Sequence, residues 1–307
     1  MRSALVAPAK QEVETPLSGN LSEQAATQDR VKPKLTWHIF DTGYCTVPEY
    51  LLVKTGRFRR VPVHAIAALL RHPTHGWFLF DTGYAPRILD ATRAFPFQFY
   101  GWTTPMTVSA ELAIANQLGR FGVRSEDVSR VVLSHFHADH IAGLRDFPAA
   151  RFLAGREAWR AVRDLSSFRA LACAFIPSLM PADFEERTSL IDDFTGPEVP
   201  PFGGSYDIFS DGSALLVRLP GHAKGQLGLM ANTDKGRVFF AADSFWMPAS
   251  IRERALPNRL VGLVVDDWRA LERTMHKIAD FAVANPDVII IATHCPEAFR
   301  KFVAAPA

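Results

Sequence analysis

Six consecutive residues, His135-Phe136-His137-Ala138-Asp139-His140, carry three imidazoles and a carboxylate. They follow Val131-Val132-Leu133, an apolar, β-branched run that reads as a buried strand. A strand that ends in a tight loop can aim several side chains at one point. The alternation in HxHxDH sends His135 and His137 one way and lets Asp139 and His140 reach a neighbouring point. Imidazole nitrogen and carboxylate oxygen are donors that suit Zn²⁺ and related divalent ions. Two such ions side by side make a hydrolytic centre. A histidine-rich surface loop, the plainer reading, would need no partners elsewhere in the chain.

Partners exist. Asp81 follows Trp77-Phe78-Leu79-Phe80, and His222 lies in Leu219-Pro220-Gly221-His222. Asp243 follows Val238-Phe239-Phe240-Ala241-Ala242, and His294 follows Val288-Ile289-Ile290-Ile291-Ala292. Polar residues at the ends of apolar strands are held by a rigid scaffold yet free to converge beyond it. Alone, each reads as a turn or capping residue; together and in this order they read as ligands. His38, His64, His72, His75 and His276 have no partners at ligand spacing and read as structural or solvated. Cys295 adjoins His294, but neighbouring residues tend to point apart, so it reads as a small buried apolar side chain.

The elements that must position these groups begin near Leu35-Thr36-Trp37-His38-Ile39-Phe40, a first strand. Val63–Leu70 and Trp77–Phe80, joined across His72-Pro73-Thr74-His75-Gly76, predict a hairpin. Phe-Asp-Thr-Gly-Tyr occurs twice, at 40–44 and 80–84, and reads as two strand-to-turn exits. Residues 107–120 carry helical spacing, as do the residues around Glu157, Trp159 and Val162 and a strongly amphipathic stretch from about Asp266 to Ala284. Further strands are expected at 150–153, 215–219, 227–231, 238–242 and 288–292. Strands with helices interspersed, not strictly alternating, predict an α+β fold of mixed sheets packed on each other with helices outside.

The chain has 307 residues, 48% hydrophobic and 21% charged, enough for a substantial core. Residues 34–307 read as one domain, and residues 1–33, without periodicity, as a flexible leader or an arm packing on a partner subunit. A net charge of +2 with no long basic block argues against nucleic acid as substrate. Three cysteines imply no disulfide framework and a reducing compartment. With no signal-peptide core and no apolar run long enough to span a bilayer, the expected location is cytoplasmic. The arm and the exposed aromatics permit a homodimer without requiring one.

The ordered set Asp81-Thr82-Gly83, His135-x-His137-x-Asp139-His140, Pro220-Gly221-His222, Asp243 and His294 resembles the metallo-β-lactamase superfamily over most of the chain from about residue 35. The resemblance implies a four-layer αββα sandwich with a dinuclear metal site at the sheet edge. His135, His137 and His222 would hold one ion and Asp139, His140 and His294 the other. Asp243 would bridge them, and Asp81 would orient the metal loop by hydrogen bonding. Zn²⁺ suits this histidine-rich set best, and Mn²⁺, Co²⁺ or Fe²⁺ are accepted by it.

Such a site supports metal-assisted hydrolysis, with Asp139 taking the proton released on attack and delivering it to the leaving group. No GxSxG or phosphate-loop motif competes. Three aromatic-rich segments, represented by Phe97, Phe99 and Trp102, by Phe175 and Met180, and by Phe245 and Trp246, suggest an apolar cleft for an acyl chain or aromatic ring. Within the superfamily the chain is most similar to the N-acyl-homoserine lactonases, in its long N-terminal approach to the hairpin, in Val61-Pro62-Val63 and in motif spacing. That implies a lactone with an apolar tail as substrate. The chain departs from those lactonases at Trp246, where they carry a tyrosine, and at Pro220-Gly221-His222-Ala223-Lys224-Gly225-Gln226, where they read PGHxPGH. Tyr44 and Tyr206 are candidates for the missing phenol. The alternatives are a related esterase, thioesterase or phosphotriesterase and, from another class, a metal-binding sensor protein of weak turnover. For a glutathione thioester, Arg300 and Lys301 are few cations.

Overall fold

Alternation in the second strand decides the layering. In β2 (Arg60–His72), Ile66, Ala68 and Leu70 enter one hydrophobic core while Ala65, Ala67 and Leu69 enter another. A strand buried on both faces reads as a continuous apolar run, as this one does. β2 pairs antiparallel with β1 (Thr36–Pro48) and with β3 (Gly76–Phe80). β4 (Met106–Thr107) adds to the edge of β1; β5 (Val128–Val132), β6 (Arg151–Gly155) and β7 (Thr188–Ile191) follow β3 in parallel. The seven-stranded order is β4-β1-β2-β3-β5-β6-β7.

A second sheet of five strands runs β12-β11-β10-β9-β8, from β8 (Tyr206–Asp207), β9 (Ala214–Arg218), β10 (Leu227–Thr233), β11 (Gly236–Phe240) and β12 (Ile289–Ile291). Its β11 shows both contacts of the layer. The Phe240 ring meets Trp37 and Phe80 of the first sheet at 5.9 and 6.0 Å. Its neighbour Phe239 meets Phe281 of the helix Trp268–Ala284 at 5.7 Å. That helix is capped by Asp267, whose side chain accepts from Ala270 N, and it buries Leu271, Met275, Ile278 and Phe281. Each such side chain contributes about 1.5–3 kcal/mol by leaving water. The outer face of the first sheet is covered by a core that includes Ile88, Ile114, Trp159 and Phe184 from helical segments. The result is the αββα order, helices outside and two mixed sheets between.

The computed structural model describes residues 32–303, so the expectation for the leader at 1–33 lies outside the described residues except for Lys32 and Pro33. From Pro33 onward the chain forms one compact unit. No helix among the described residues is long and apolar enough to cross a membrane.

Two expectations need correction. The helix read over 107–120 is shorter: Ile114–Gln117 continues as a 3₁₀ turn, Leu118–Phe121. Met106 and Thr107 instead pair with Cys45 and Tyr44, because the open edge of β1 offers an otherwise unpaired backbone. The first Phe-Asp-Thr-Gly-Tyr segment is not a strand exit but an irregularity inside β1, where register shifts between Asp41 and Tyr44. The two copies also touch. Tyr84 N donates to Thr42 Oγ1 at 2.9 Å, and a Cβ on Gly83 would sit 2.0 Å from that same oxygen. Gly83 is a glycine because Thr42 occupies its side-chain space.

Candidate metal centre

Parallel pairing brings Asp81 to the histidine-rich loop. Phe80 lies opposite Val132, and one residue further Asp81 N donates to Val132 O at 2.9 Å. Its carboxylate then accepts from Ser134 N at 2.8 Å, Ser134 Oγ at 2.7 Å and His140 Nδ1 at 2.8 Å. These bonds tie the loop after β5 to the helix Ala138–Ile141, which carries Asp139 and His140 in one turn. In the second sheet the parallel pair Phe240 and Ile291 sets another register. Asp243 and His294 each stand three residues past it. His222 follows β9 through Gly221, whose φ is +132° and whose Cβ, if present, would lie 2.1 Å from Leu271 N. That close approach, with Thr274 Oγ1 donating to Pro220 O at 2.6 Å, presses the His222 loop onto the long helix.

Seven side chains from both sheets thereby converge as two overlapping sets. His135, His137, His222 and Asp243 form one, and Asp139, His140, Asp243 and His294 the other; within each, the donor atoms lie within 4.8 Å of one another. His222 Nε2 is 2.9 Å from His137 Nδ1 and 3.3 Å from Asp243 Oδ2. His294 Nε2 is 2.9 Å from Asp243 Oδ2 and 3.3 Å from Asp139 Oδ2, and His140 Nε2 is 3.3 Å from Asp243 Oδ1.

The residues fit a pair of divalent cations. His135 Nε2 is buried with no hydrogen-bond partner, and the buried His140 Nε2 and Asp243 Oδ1 have only each other, at 3.3 Å, a costly condition that coordination would relieve. The opposite ring nitrogens are anchored. His135 Nδ1 lies 2.9 Å from Ser134 Oγ, His140 Nδ1 donates to Asp81, and His294 Nδ1 donates to His64 O at 2.7 Å. Fixing one imidazole nitrogen leaves the other as a directed lone pair. His222 differs, its Nδ1 being buried without a partner.

Protonation divides the cluster. Burial, reinforced by neighbouring imidazoles, lowers His137 to about 3 and pushes His135 well below the usual range. Burial likewise lowers His222, to about 4, with His140 and His294 adding to it against Asp243. For His140 and His294 burial is outweighed by the carboxylates, Asp243 above all, and both rise well above the ordinary histidine value. Burial would raise Asp139, but His140 and His294 bring it down to about 2; the same kind of contest leaves Asp243 far below the carboxylate range. With no cation bound, the raised His140 and His294 stand among the carboxylates of Asp81, Asp139 and Asp243, while His135, His137 and His222 stay neutral.

A cavity of about 170 Å³ adjoins these groups, with His137, Asp139, His222, Asp243 and His294 in its lining. Its apolar walls include Leu51, Leu52, Val63, Trp246 and Val261. A second, of about 350 Å³, reaches His137 and His222 from the side of Ala158, Cys173, Lys224 and Asp266. Of the expected pocket residues Trp246 lines the first cavity; the other six line neither. Phe245 belongs to the core between the sheets, and Phe175 to the core beneath the helices, against which Phe97 and Met180 pack. Phe99 and Trp102 are exposed. The run 95–102 divides: Phe99 and Trp102 pack on one another near the surface at 5.3 Å, while Tyr100 faces the cavity.

What the sequence reading missed are the walls supplied by the one-turn helix Glu49–Leu52 and the 3₁₀ turn Arg259–Val264, too short to announce a period. It also missed the phenol of Tyr84, whereas Tyr100 lies inside the aromatic run 95–102 that it offered as a wall. Tyr206 sits on β8 and Tyr44 leans on the His64 ring at 5.4 Å, whereas Tyr84 and Tyr100 line the cavity. Burial holds both phenols well above their ordinary value, so they stay protonated. Cys295 is a buried core residue, as expected.

Comparison with known proteins adds to this geometry. The family model of the metallo-beta-lactamase superfamily matches residues 62–294. N-acyl homoserine lactonase AttM of Azorhizobium caulinodans is 28% identical over 197 residues, 62% of this chain and 66% of that protein. N-acyl homoserine lactonase AiiB of Agrobacterium fabrum is 24% identical over 289 residues, 86% of this chain and 95% of the relative. Among solved structures, a variant of B. thuringiensis AiiA with N-decanoyl-L-homoserine at its active site superposes with a TM-score of 0.65 at 17% identity. The superposition covers 88% of this chain and 96% of that one.

Proposed function

The chain belongs to the metallo-beta-lactamase superfamily, and from that premise we propose that it is a metal-dependent hydrolase opening the ring of an apolar-tailed lactone, such as an N-acyl-homoserine lactone. One observation carries the reading: seven metal-competent side chains converge beside a cavity whose remaining wall is largely aliphatic and aromatic. His135, His137 and His222 would hold one cation, Asp139, His140 and His294 a second, and Asp243 both. Bound there, two divalent cations, zinc foremost, supply an acidified water and polarise the substrate carbonyl.

The protein's own groups do the rest. Asp139 lines the cavity as a carboxylate. It takes the proton released as water adds to the ester carbonyl and returns it to the ring oxygen as the C–O bond breaks. Leu51, Leu52, Val63 and Val261 seat the tail and exclude water around the reacting carbonyl. Trp246, with no phenol to offer, packs its ring 5.6 Å from that of His222. Tyr100 stands in the cavity wall as a protonated phenol.

The relatives named as lactonases support the substrate class, and the apolar wall supports the tail. The test is hydrolysis of a long-chain homoserine lactone, an aryl ester and paraoxon by zinc-loaded protein, with His137→Ala as control and metal content measured by elemental analysis. Expected are two ions per chain and fastest turnover of the lactone. Turnover of the ester or paraoxon alone would replace the lactonase by an esterase or phosphotriesterase. Fewer than one ion per chain after reconstitution would remove the catalytic reading.

A further inference from the structure

Three chain segments that line the cavity beside the metal-binding side chains also lift large apolar groups into solvent. The helix Glu49–Leu52 lends Leu51 and Leu52 to the wall, and the loop after it holds Phe58 92% exposed. The turn Arg259–Val264 lends Val261 and leaves Leu260 64% exposed. The helix Gln98–Thr103 lends Tyr100 and leaves Trp102 66% exposed. Loop and turn are pinned to the same short helix. Tyr50 N donates to Arg57 O at 3.2 Å, Asn258 N to Leu51 O at 3.1 Å, and Lys54 N to Leu256 O at 3.0 Å. Phe58 is thus presented on a braced loop, with its ring 4.6 Å from that of Tyr50.

The loop's charge has one sign. Lys54, Arg57, Arg59 and Arg60 are all exposed. Glu49 is the carboxylate that faces them, and it engages Arg59 at 2.9 and 3.1 Å. Arg60 Nη2 donates to Thr46 O at 2.5 Å. Lys54 and Arg57 have no ion-pair partner among the described residues. A phenylalanine so far out of the core buries little beyond its contact with Tyr50, and its setting beside the unpaired Lys54 and Arg57 suits a partner that is apolar and anionic at once.

We propose that this rim docks on an anionic lipid bilayer. Phe58, Leu260 and Trp102 enter the boundary between headgroups and acyl chains, and the loop cations meet the headgroup charges. A second copy of the chain fits less well where the loop lies near the two-fold axis, since there the unpaired Lys54 and Arg57 would meet their own copies. A nucleic acid would use the cations and leave the exposed aliphatic groups unused. Docking stands on the surface alone. Its consequence, that the cavity opens toward the phase where an apolar-tailed substrate dissolves, rests on the lactonase reading.

The test is flotation of the full-length, zinc-loaded protein with vesicles of phosphatidylcholine alone or mixed with phosphatidylglycerol. Binding is expected on the mixed vesicles, little on phosphatidylcholine, and weaker with rising salt. Each cation removed should weaken partitioning about fivefold, so Lys54→Gln with Arg57→Gln should cost about 25-fold in all. Phe58→Ser should weaken it at unchanged charge. Three results would overturn the proposal: no flotation on anionic vesicles at low salt; flotation indifferent to Phe58→Ser and abolished by competing RNA; or a dimer that Phe58→Ser dissociates while vesicles go unbound. Turnover of a short, water-soluble lactone is measured alongside and should be unchanged in these variants. Its persistence without flotation would sink docking and leave the lactonase reading untouched.

Discussion

Asp81→Asn is the most discriminating single change in this molecule. The carboxylate is 1% exposed and accepts three hydrogen bonds, from Ser134 N, Ser134 Oγ and His140 Nδ1. An asparagine fits the space and tolerates the positive φ of 60° at this position, but it has one carbonyl oxygen where the carboxylate has two. If that oxygen keeps Ser134 N, the amide NH₂ confronts the N–H of His140 Nδ1. The conflict resolves by moving the imidazole proton to Nε2, the nitrogen that belongs to the Asp139, His140, Asp243 and His294 set. If the amide flips, Ser134 N is left buried and unpaired, at about 1–3 kcal/mol. The expected result is a folded protein with one cation weakened about 10- to 100-fold, or about 1.4–2.7 kcal/mol. The ion of the His135, His137 and His222 set should be less affected. Titration of metal-free protein with zinc, followed by calorimetry and by elemental analysis after dialysis, reads this as one affinity lowered while the other is kept. Two ions at unchanged affinity would refute the tautomer reasoning, and equal weakening of both would place Asp81's role in holding the whole loop.

Other consequences are as direct. Gly221→Ala should destabilise the protein by more than about 1 kcal/mol, because the new Cβ meets Leu271 backbone at a φ that disfavours it. It should also displace His222 and weaken metal binding, readable by denaturant melts and zinc titration; wild-type values in both would contradict the packing. Ile278→Ala, at a site fully buried under the second sheet, should cost about 2–5 kcal/mol in urea unfolding while leaving the number of bound ions unchanged. Because His140 and His294 sit well above the ordinary histidine value in the metal-free site, cation uptake at neutral pH must displace their protons, and affinity should rise with pH. Calorimetry in two buffers of different ionisation enthalpy measures that release, and no net release at pH 7 would contradict it.

The candidate metal site was legible in the sequence because register transmits it. Phe80 pairs with Val132 and Phe240 with Ile291, so a residue at a fixed offset past each apolar run lands at the same sheet edge as its partner. Offsets from strand ends survive projection onto one dimension, and Asp81, His135, Asp243 and His294 are all such offsets. The two-sheet architecture was legible for the same reason: β2 is apolar at every position from Val63 to Leu70 except His64, as a strand buried on both faces must be. His64 was read as structural or solvated, and it is structural: its ring pairs with Asp41 at 3.0 Å and its backbone carbonyl anchors His294. A main-chain contact of that kind leaves no trace in residue type.

The cavity wall obeys a different logic, which explains why aromatic density pointed to it only through Tyr100 and Trp246. Leu51, Val63, Tyr100, Trp246 and Val261 come from five separate segments, and the short ones that carry Leu51 and Val261 have no pattern of their own. They meet because the sheet edge and the turns around it leave one gap there. Hydrophobic side chains that share a segment can satisfy each other locally, as Phe99 and Trp102 do, while Tyr100 between them faces the cavity. Dispersed apolar residues next to chain reversals are therefore better pointers to a wall than a cluster is. The exposed Phe58, standing in a reversal between Val53 and β2 whose base is tied to Leu256, shows what such a reversal presents when it turns outward instead.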